Sequence, residues 1–212
     1  MSLEVSNLGE LKTAVQEYLD RPELTAKIPL FIQMGERKIY RLLRCAANLK
    51  KQDVSLLAGN DGTFNVPADY LSTRMLVING APVERISDIS ATKRLATEPA
   101  GTPDAFTVLN GKFQFVPIPD GAADVSLHYY ADLSGELVSD TDTNNVLISC
   151  LDAYIYASCL EATPYLKHDE RIQVWAQLFQ NAIESANALQ DEGEYSGSGL
   201  SVGAASGIYG GF

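Results

Sequence analysis

The hydrophobic period of this chain changes twice, and that change limits its possible folds more than any other feature. Near the start Leu8, Leu11, Val15 and Leu19 recur at helical spacing. Asn7 followed by Glu10 predicts a capping box at that helix's N-terminus, with Asn in place of Ser or Thr. Asp20-Arg21-Pro22 predicts its end, because the residue before proline is pushed out of the helical region. A second helix is expected from about Pro29, a favourable first-turn residue, with Phe31/Ile32, Gly35, Ile39 and Leu42/Leu43 on its apolar face. Gly35 costs a helix interior about 1 kcal/mol against Ala, a cost that a close helix–helix approach would offset.

From about residue 46 the runs become short and β-type, separated by turn signals. Asn79-Gly80 and Asn110-Gly111 each stand between β-rich runs, and both residues of such a pair tolerate positive φ, so hairpins are expected there. Asn60-Asp61-Gly62 and Asp120-Gly121 mark further turns, and a short helix from Ser87 to Leu95, capped by Ser87 or Asp88, interrupts the strands. Five to seven antiparallel strands follow from this reading, over roughly 46–140.

Helical spacing returns after the polar stretch Asp140–Asn145, with Leu147, Leu151, Tyr154, Ala157/Ser158 and Glu161 along one face. Pro164 ends that helix. Asp169 caps a long one that carries Ile172, Trp175, Phe179, Ala182/Ile183 and Ala186. Trp175 and Phe179 read as core anchors. The helices at the two ends can bury their stripes only against each other. The expected fold class is therefore α+β: a discontinuous bundle of about four helices, an inserted antiparallel β module and a flexible C-terminal arm. The boundaries are 1–45 and 144–191 for the bundle, 46–143 for the β module and 192–212 for the arm.

The arm, EGEYSGSGLSVGAASGIYGGF, is rich in Gly, Ser and Ala, which bury little and hold high conformational entropy. Yet Leu200, Val202, Ile208, Tyr209 and Phe212 are spaced through it to the last residue. A spacer needs no such residues, so the segment reads as an arm that gains order on a partner.

Charge is uneven. The total of −11 divides into +1 over 1–45, −6 over 46–143 and −6 over 144–212. An acidic surface argues against tight wrapping by nucleic acid. The one basic stripe is Arg37, Arg41 and Arg44 on the second helix, with Lys38 beside it and Lys50-Lys51 downstream. It reads either as a solvated face paired with neighbouring acids or as a contact to an acidic partner surface or to passing DNA.

Signals for catalysis are sparse. Gly199-Leu200-Ser201-Val202-Gly203 fits G-x-S-x-G by letters, without a preceding strand or a later histidine. His128 and His168 stand in no metal-ligand spacing. Cys45, Cys150 and Cys159 form no C-x-x-C pair and read as reduced, buried thiols of a protein made in the cytosol. No cofactor, metal or membrane span is expected. The opening residues have no basic region followed by an apolar stretch, so no secretion signal is expected either.

Several phrases, in order over roughly residues 8 to 190, resemble the head-to-tail adaptor (connector) proteins of tailed bacteriophages. They are Leu24-Thr25-Ala26-Lys27-Ile28-Pro29-Leu30-Phe31-Ile32 leading through Gly35-Glu36 to Ile39-Tyr40-Arg41-Leu42-Leu43-Arg44; Val66-Pro67-Ala68-Asp69-Tyr70-Leu71; and Gly101-Thr102-Pro103 with Phe113-Gln114-Phe115-Val116-Pro117-Ile118-Pro119. Tyr129-Tyr130-Ala131, Tyr154 to Ala162, and Asp169-Glu170-Arg171 to Trp175 complete the set. The resemblance implies a structural protein of the virion neck, assembled in the host cytoplasm. It implies a homo-oligomeric ring, usually dodecameric, below the portal protein. Such a ring extends the channel for double-stranded DNA without sequence-specific binding and docks tail or nozzle proteins. It also implies that the C-terminal arm reaches the portal, with Tyr209 and Phe212 as candidate anchors. Alternatives are another tail completion or nozzle protein, a hydrolase, or a host-side binding module.

Overall fold

The computed structural model describes residues 5–166 and 169–195, with the side chains of 190–195 excepted. Helix α1 spans Leu8–Leu19 and buries Leu8, Leu11, Val15 and Leu19 together, the stripe its spacing predicts. Asn7 Oδ1 accepts from the Glu10 backbone N–H at 3.0 Å. The reciprocal half of the capping box is shifted toward the preceding residue, since the Glu10 carboxylate accepts from Ser6 N–H at 2.7 Å and Oγ at 2.9 Å. Asp20 ends the helix in the left-handed region at φ 50°. Helix α2 spans Ile28–Leu42 with Pro29 in its first turn. Leu43 is fully buried, whereas Leu42, expected on the core face, is 51 % exposed. The chain turns extended at Leu43, so only that residue of the pair is carried back into the core.

The middle of the chain forms eight strands: β1 Leu49–Leu56, β2 Thr63–Asn65, β3 Tyr70–Ile78, β4 Ala81–Pro82, β5 Glu84–Arg85, β6 Ala105–Leu109, β7 Lys112–Val116 and β8 Ala123–Ala131. Eight exceeds the expected five to seven because β4 and β5 have two residues each, too few to show any period. One sheet runs β1-β8-β3-β4 and the other β2-β7-β6-β5. All pairings are antiparallel except β5 with β6. Asn79-Gly80 and Asn110-Gly111 make the β3–β4 and β6–β7 turns, all four residues at positive φ. Along β8 burial alternates strictly, with Ala123, Val125, Leu127, Tyr129 and Ala131 inward. Tyr70 from one sheet meets Phe113 of the other edge to face at 5.5 Å, and Phe64 stacks on Phe113 at 4.7 Å. Burying Phe113 completely is worth about 1.5–3 kcal/mol. Helix α3, Asp88–Thr97, starts at Ser87 as expected and covers the second sheet, where Ala91 packs on Ala105 and Val116.

Two helices stand where one is expected after the polar loop: α4 Asn145–Ser149 and α5 Leu151–Glu161. Cys150, at φ −133° and ψ 46°, breaks them apart, and neither Gly nor Pro marks the place. Asn144 caps α4 by accepting from Leu147 N–H at 2.8 Å. Helix α6 is Arg171–Tyr195, so the helix continues through 192–195, which the sequence pattern assigns to the arm. Trp175, Phe179, Ala182 and Ile183 are buried as expected.

The bundle is centred on α5, which packs against α1, α2 and α6. Its halves are bound at several points. Leu8 and Gly9, whose N–H groups have no partner within α1, donate to the carbonyls of Asp142 and Asp140. Asn187 of α6 accepts from Arg44 N–H at 2.7 Å and donates to the Leu42 carbonyl at 3.1 Å. Arg171 donates to the Tyr18 and Leu19 carbonyls at the end of α1, pairs with Asp169, and lies over the Trp175 ring. Cys45, Cys150 and Cys159 are all buried and free.

Candidate docking surface

Helix α2 carries Arg37 and Arg41 of the expected basic stripe but ends at Leu42, before Arg44, and the structure separates their roles. Arg44 lies just past the helix and is half buried; its guanidinium donates to the Tyr40 and Leu43 carbonyls. It satisfies carbonyls that a helix end leaves without partners. Lys38 pairs with Glu161 at 2.9 Å across to α5. Lys50 pairs with Asp69 at 2.9 Å and Lys51 with Asp53 at 3.0 Å, both on the β module rather than beside α2. Arg37 and Arg41 remain. Both are exposed, and neither has an ion-pair partner among the described residues.

The same outward face carries two apolar residues. Leu30 is 48 % exposed and Met34 44 %. Leu30, Met34, Arg37 and Arg41 follow at intervals of four, three and four, so they form one row on the side of α2 turned away from the core. An apolar pair followed by two exposed guanidinium groups has the residue types that protein interfaces favour, Met and Arg among them.

Beneath that row lies a polar cluster that the sequence pattern does not announce. Glu36 is only 3 % exposed. Tyr154 Oη donates to its Oε1 at 3.0 Å, and Gly135 also gives it a backbone N–H. Tyr40 and Tyr154 hydroxyls stand 3.1 Å apart, and Asn144 Nδ2 donates to both. With Glu36 ionised, the Tyr154 hydrogen is committed to it, and Tyr40 is then the donor between the two tyrosines. The result is a directed chain from Tyr40 through Tyr154 to Glu36. Desolvation by burial pushes the Glu36 carboxyl up to about 7, against the opposing effect of its hydrogen bonds from Tyr154 and Gly135. Burial likewise drives both tyrosine hydroxyls above their ordinary range. One signal for Glu36 is present in the sequence: it stands four residues from both Ile32 and Tyr40, in a buried row of α2.

Glu36 also lines a groove of about 510 Å³ between α1, α2 and the loop after β8, with Lys12, Leu30, Gln33 and Leu137 on its walls. The arrangement supplies a late-titrating acid and a hydrogen-bonded scaffold, without a neighbouring nucleophile or histidine among the described residues. Among them, too, no group of three or more His, Cys, Asp or Glu could hold a metal ion. No helix among them is long and apolar enough to cross a membrane. His128 stands on β8, half buried. His168, the Gly199–Gly203 stretch and the arm residues Leu200, Val202, Ile208, Tyr209 and Phe212 lie outside the described residues.

The model of one protein family, described as SU10 adaptor protein, matches residues 6–203. The match takes in every described helix and strand and reaches past Leu200 and Val202, stopping before Ile208. No curated protein matches the chain.

Proposed function

Because this chain belongs to the SU10 adaptor protein family, a family of phage head-to-tail adaptors, we propose that it is a structural protein of the virion neck. Copies form a ring under the portal, extend its channel for DNA and present a docking face to the tail. The role is architectural rather than catalytic. Family membership across 6–203 is the observation that carries the reading. Charge supports it: at −11 the protein repels phosphate, which lets DNA slide through a channel instead of binding it.

Residues 193–212, the last three residues of α6 and the stretch that follows them, serve as the arm to the portal. A Gly/Ser-rich segment that orders on its partner incurs the entropic cost of ordering there, so assembly is favoured only where a finished head offers the site. Leu200, Val202, Ile208, Tyr209 and Phe212 supply the apolar contacts. Mixing the full chain with the portal protein of the same phage and imaging by negative stain gives stacked rings if the reading is right. Deleting 193–212 lowers portal binding by at least about tenfold, as loss of aromatic anchors does. Undiminished binding by the truncated chain would remove the arm from the account.

A further inference from the structure

We propose that the outward row of α2, Leu30, Met34, Arg37 and Arg41, docks on the outward face of α6 in a second copy of this chain, with Arg41 set beside Glu184 of that copy. The inference rests on the ring reading above and names the surfaces that would close the ring.

Charge complementarity selects the occupant. The α2 row presents two guanidinium groups without an ion-pair partner among the described residues, on a chain of net charge −11. Helix α6 is acidic: Glu184, Asp191, Glu192 and Glu194 stand against Arg171 alone. Arg171 is engaged with Asp169 and the end of α1. Glu184 is exposed and has no partner among the described residues. Val174, Gln177, Asn181 and Glu184 follow at intervals of three, four and three, one row opposite the buried Trp175, Phe179 and Ile183. Val174 is 55 % exposed and gives this face an apolar contact of its own.

Orientation and register agree. Helix α2 runs antiparallel to α5, since Gly35 meets Ser158 and Tyr40 meets Tyr154. Helix α6 also runs antiparallel to α5: Arg171 lies near Cys159, and Ala186 lines one groove with Cys150. So α2 and α6 run in the same sense. In a ring of many copies, adjacent protomers differ by a small rotation, and α2 therefore meets the next copy's α6 nearly parallel. At 1.5 Å per residue Leu30 and Arg41 stand about 17 Å apart along α2, and Val174 and Glu184 about 15 Å apart along α6. Leu30 against Val174 thus brings Arg41 to Glu184 and Arg37 to Asn181, whose amide oxygen can accept. The contact is heterologous, each copy giving one face of each kind, as ring closure requires.

The test uses the full-length chain, alone over a concentration range and with the portal of its phage, read by native mass spectrometry and sedimentation velocity. Arg41→Glu places two carboxylates face to face and weakens self-association by at least about tenfold, and so does Glu184→Arg. The double variant, carrying both changes, restores it, because every interface then again has one charge of each sign. Arg41 and Glu184 are both exposed, so far-UV circular dichroism of the variants matches the wild type, which separates this outcome from misfolding. Wild-type assembly with an Arg41→Glu variant that assembles equally well overturns the contact and leaves the ring reading standing; a row facing DNA phosphates would give that result. A wild-type chain that stays monomeric with and without portal overturns both.

Discussion

A carboxyl held in a helical bundle at 3 % exposure makes stability depend on pH with a definite sign. The Glu36 carboxyl is raised from its ordinary 4.5 to about 7, first by desolvation and in a minor way by Asp132 and Glu136. Between those two values the folded protein keeps a proton that the unfolded chain has released. The stability that Glu36 contributes is therefore fully present below about pH 4.5 and is lost as pH rises through about 7, by on the order of 3 kcal/mol. Glu36→Gln cannot titrate. We expect its melting temperature, followed by circular dichroism, to fall less between pH 5 and pH 8 than that of the wild type. Equal falls would mean that Glu36 does not set the slope. The fate of single charges is only partly legible in the sequence. Arg37, Arg41 and Arg44 share a spacing, but Arg44 sits where helix-end carbonyls compete for its guanidinium, and that competition is invisible without the fold. Glu36 escapes notice because a charge in a helical stretch is assigned to solvent unless its partners, here more than 90 residues away in Tyr154 and Gly135, are known.

At the scale of elements, one residue governs how closely α2 approaches α5. A Cβ built on Gly35 would lie 3.1 Å from Ser158 N and 3.2 Å from the Ala157 carbonyl carbon, both backbone atoms. The glycine penalty of the α2 interior is thus offset by contact distance, as the sequence suggests. Gly35→Ala gains about 1 kcal/mol of helix propensity. It forces the two helices apart at a cost of about 1–3 kcal/mol, and the Tyr40–Tyr154 hydrogen bond stretches with them. A net loss of stability is expected in thermal or urea unfolding, and an unchanged or raised midpoint would show that the interface can give way. The hairpins are legible because Asn-Gly encodes positive φ in two residues of local chemistry. The break at Cys150 is not: neither Gly nor Pro marks it, and the thiol beside which Cys150 is buried, that of Cys45, is more than 100 residues away in sequence.

Across the whole molecule, the β module leaves and rejoins the bundle at one place. Leu49 pairs with Tyr130 at the ends of β1 and β8, and Asn48 Nδ2 donates to the carbonyls of both Leu43 and Ala131. Chain ends that meet in this way are what an insertion needs, and the closure adds little entropy beyond a short turn. The order helix, strand, helix shows this in outline, since stripes at the two ends of the chain have only each other to cover them. What it cannot show is how the halves are held. Gly9 reaches Asp140, Arg44 reaches Asn187, and Glu36 reaches Tyr154, and none of these pairs is close in sequence. Those contacts all lie outside 49–131. Replacing 49–131 by a short glycine linker between Asn48 and Asp132 should therefore leave a helical protein with a cooperative, lowered thermal transition. The loop from Asp132 to Asn144, which supplies Gly135 to Glu36 and Asn144 to both tyrosines, must be kept. The opposite truncation, removing 144–212, takes away α5 and leaves α1 and α2 with apolar stripes and no cover, so that fragment should not fold. A helical, cooperatively melting N-terminal fragment, or an unfolded linker variant, would show that bundle and β module share one indivisible core.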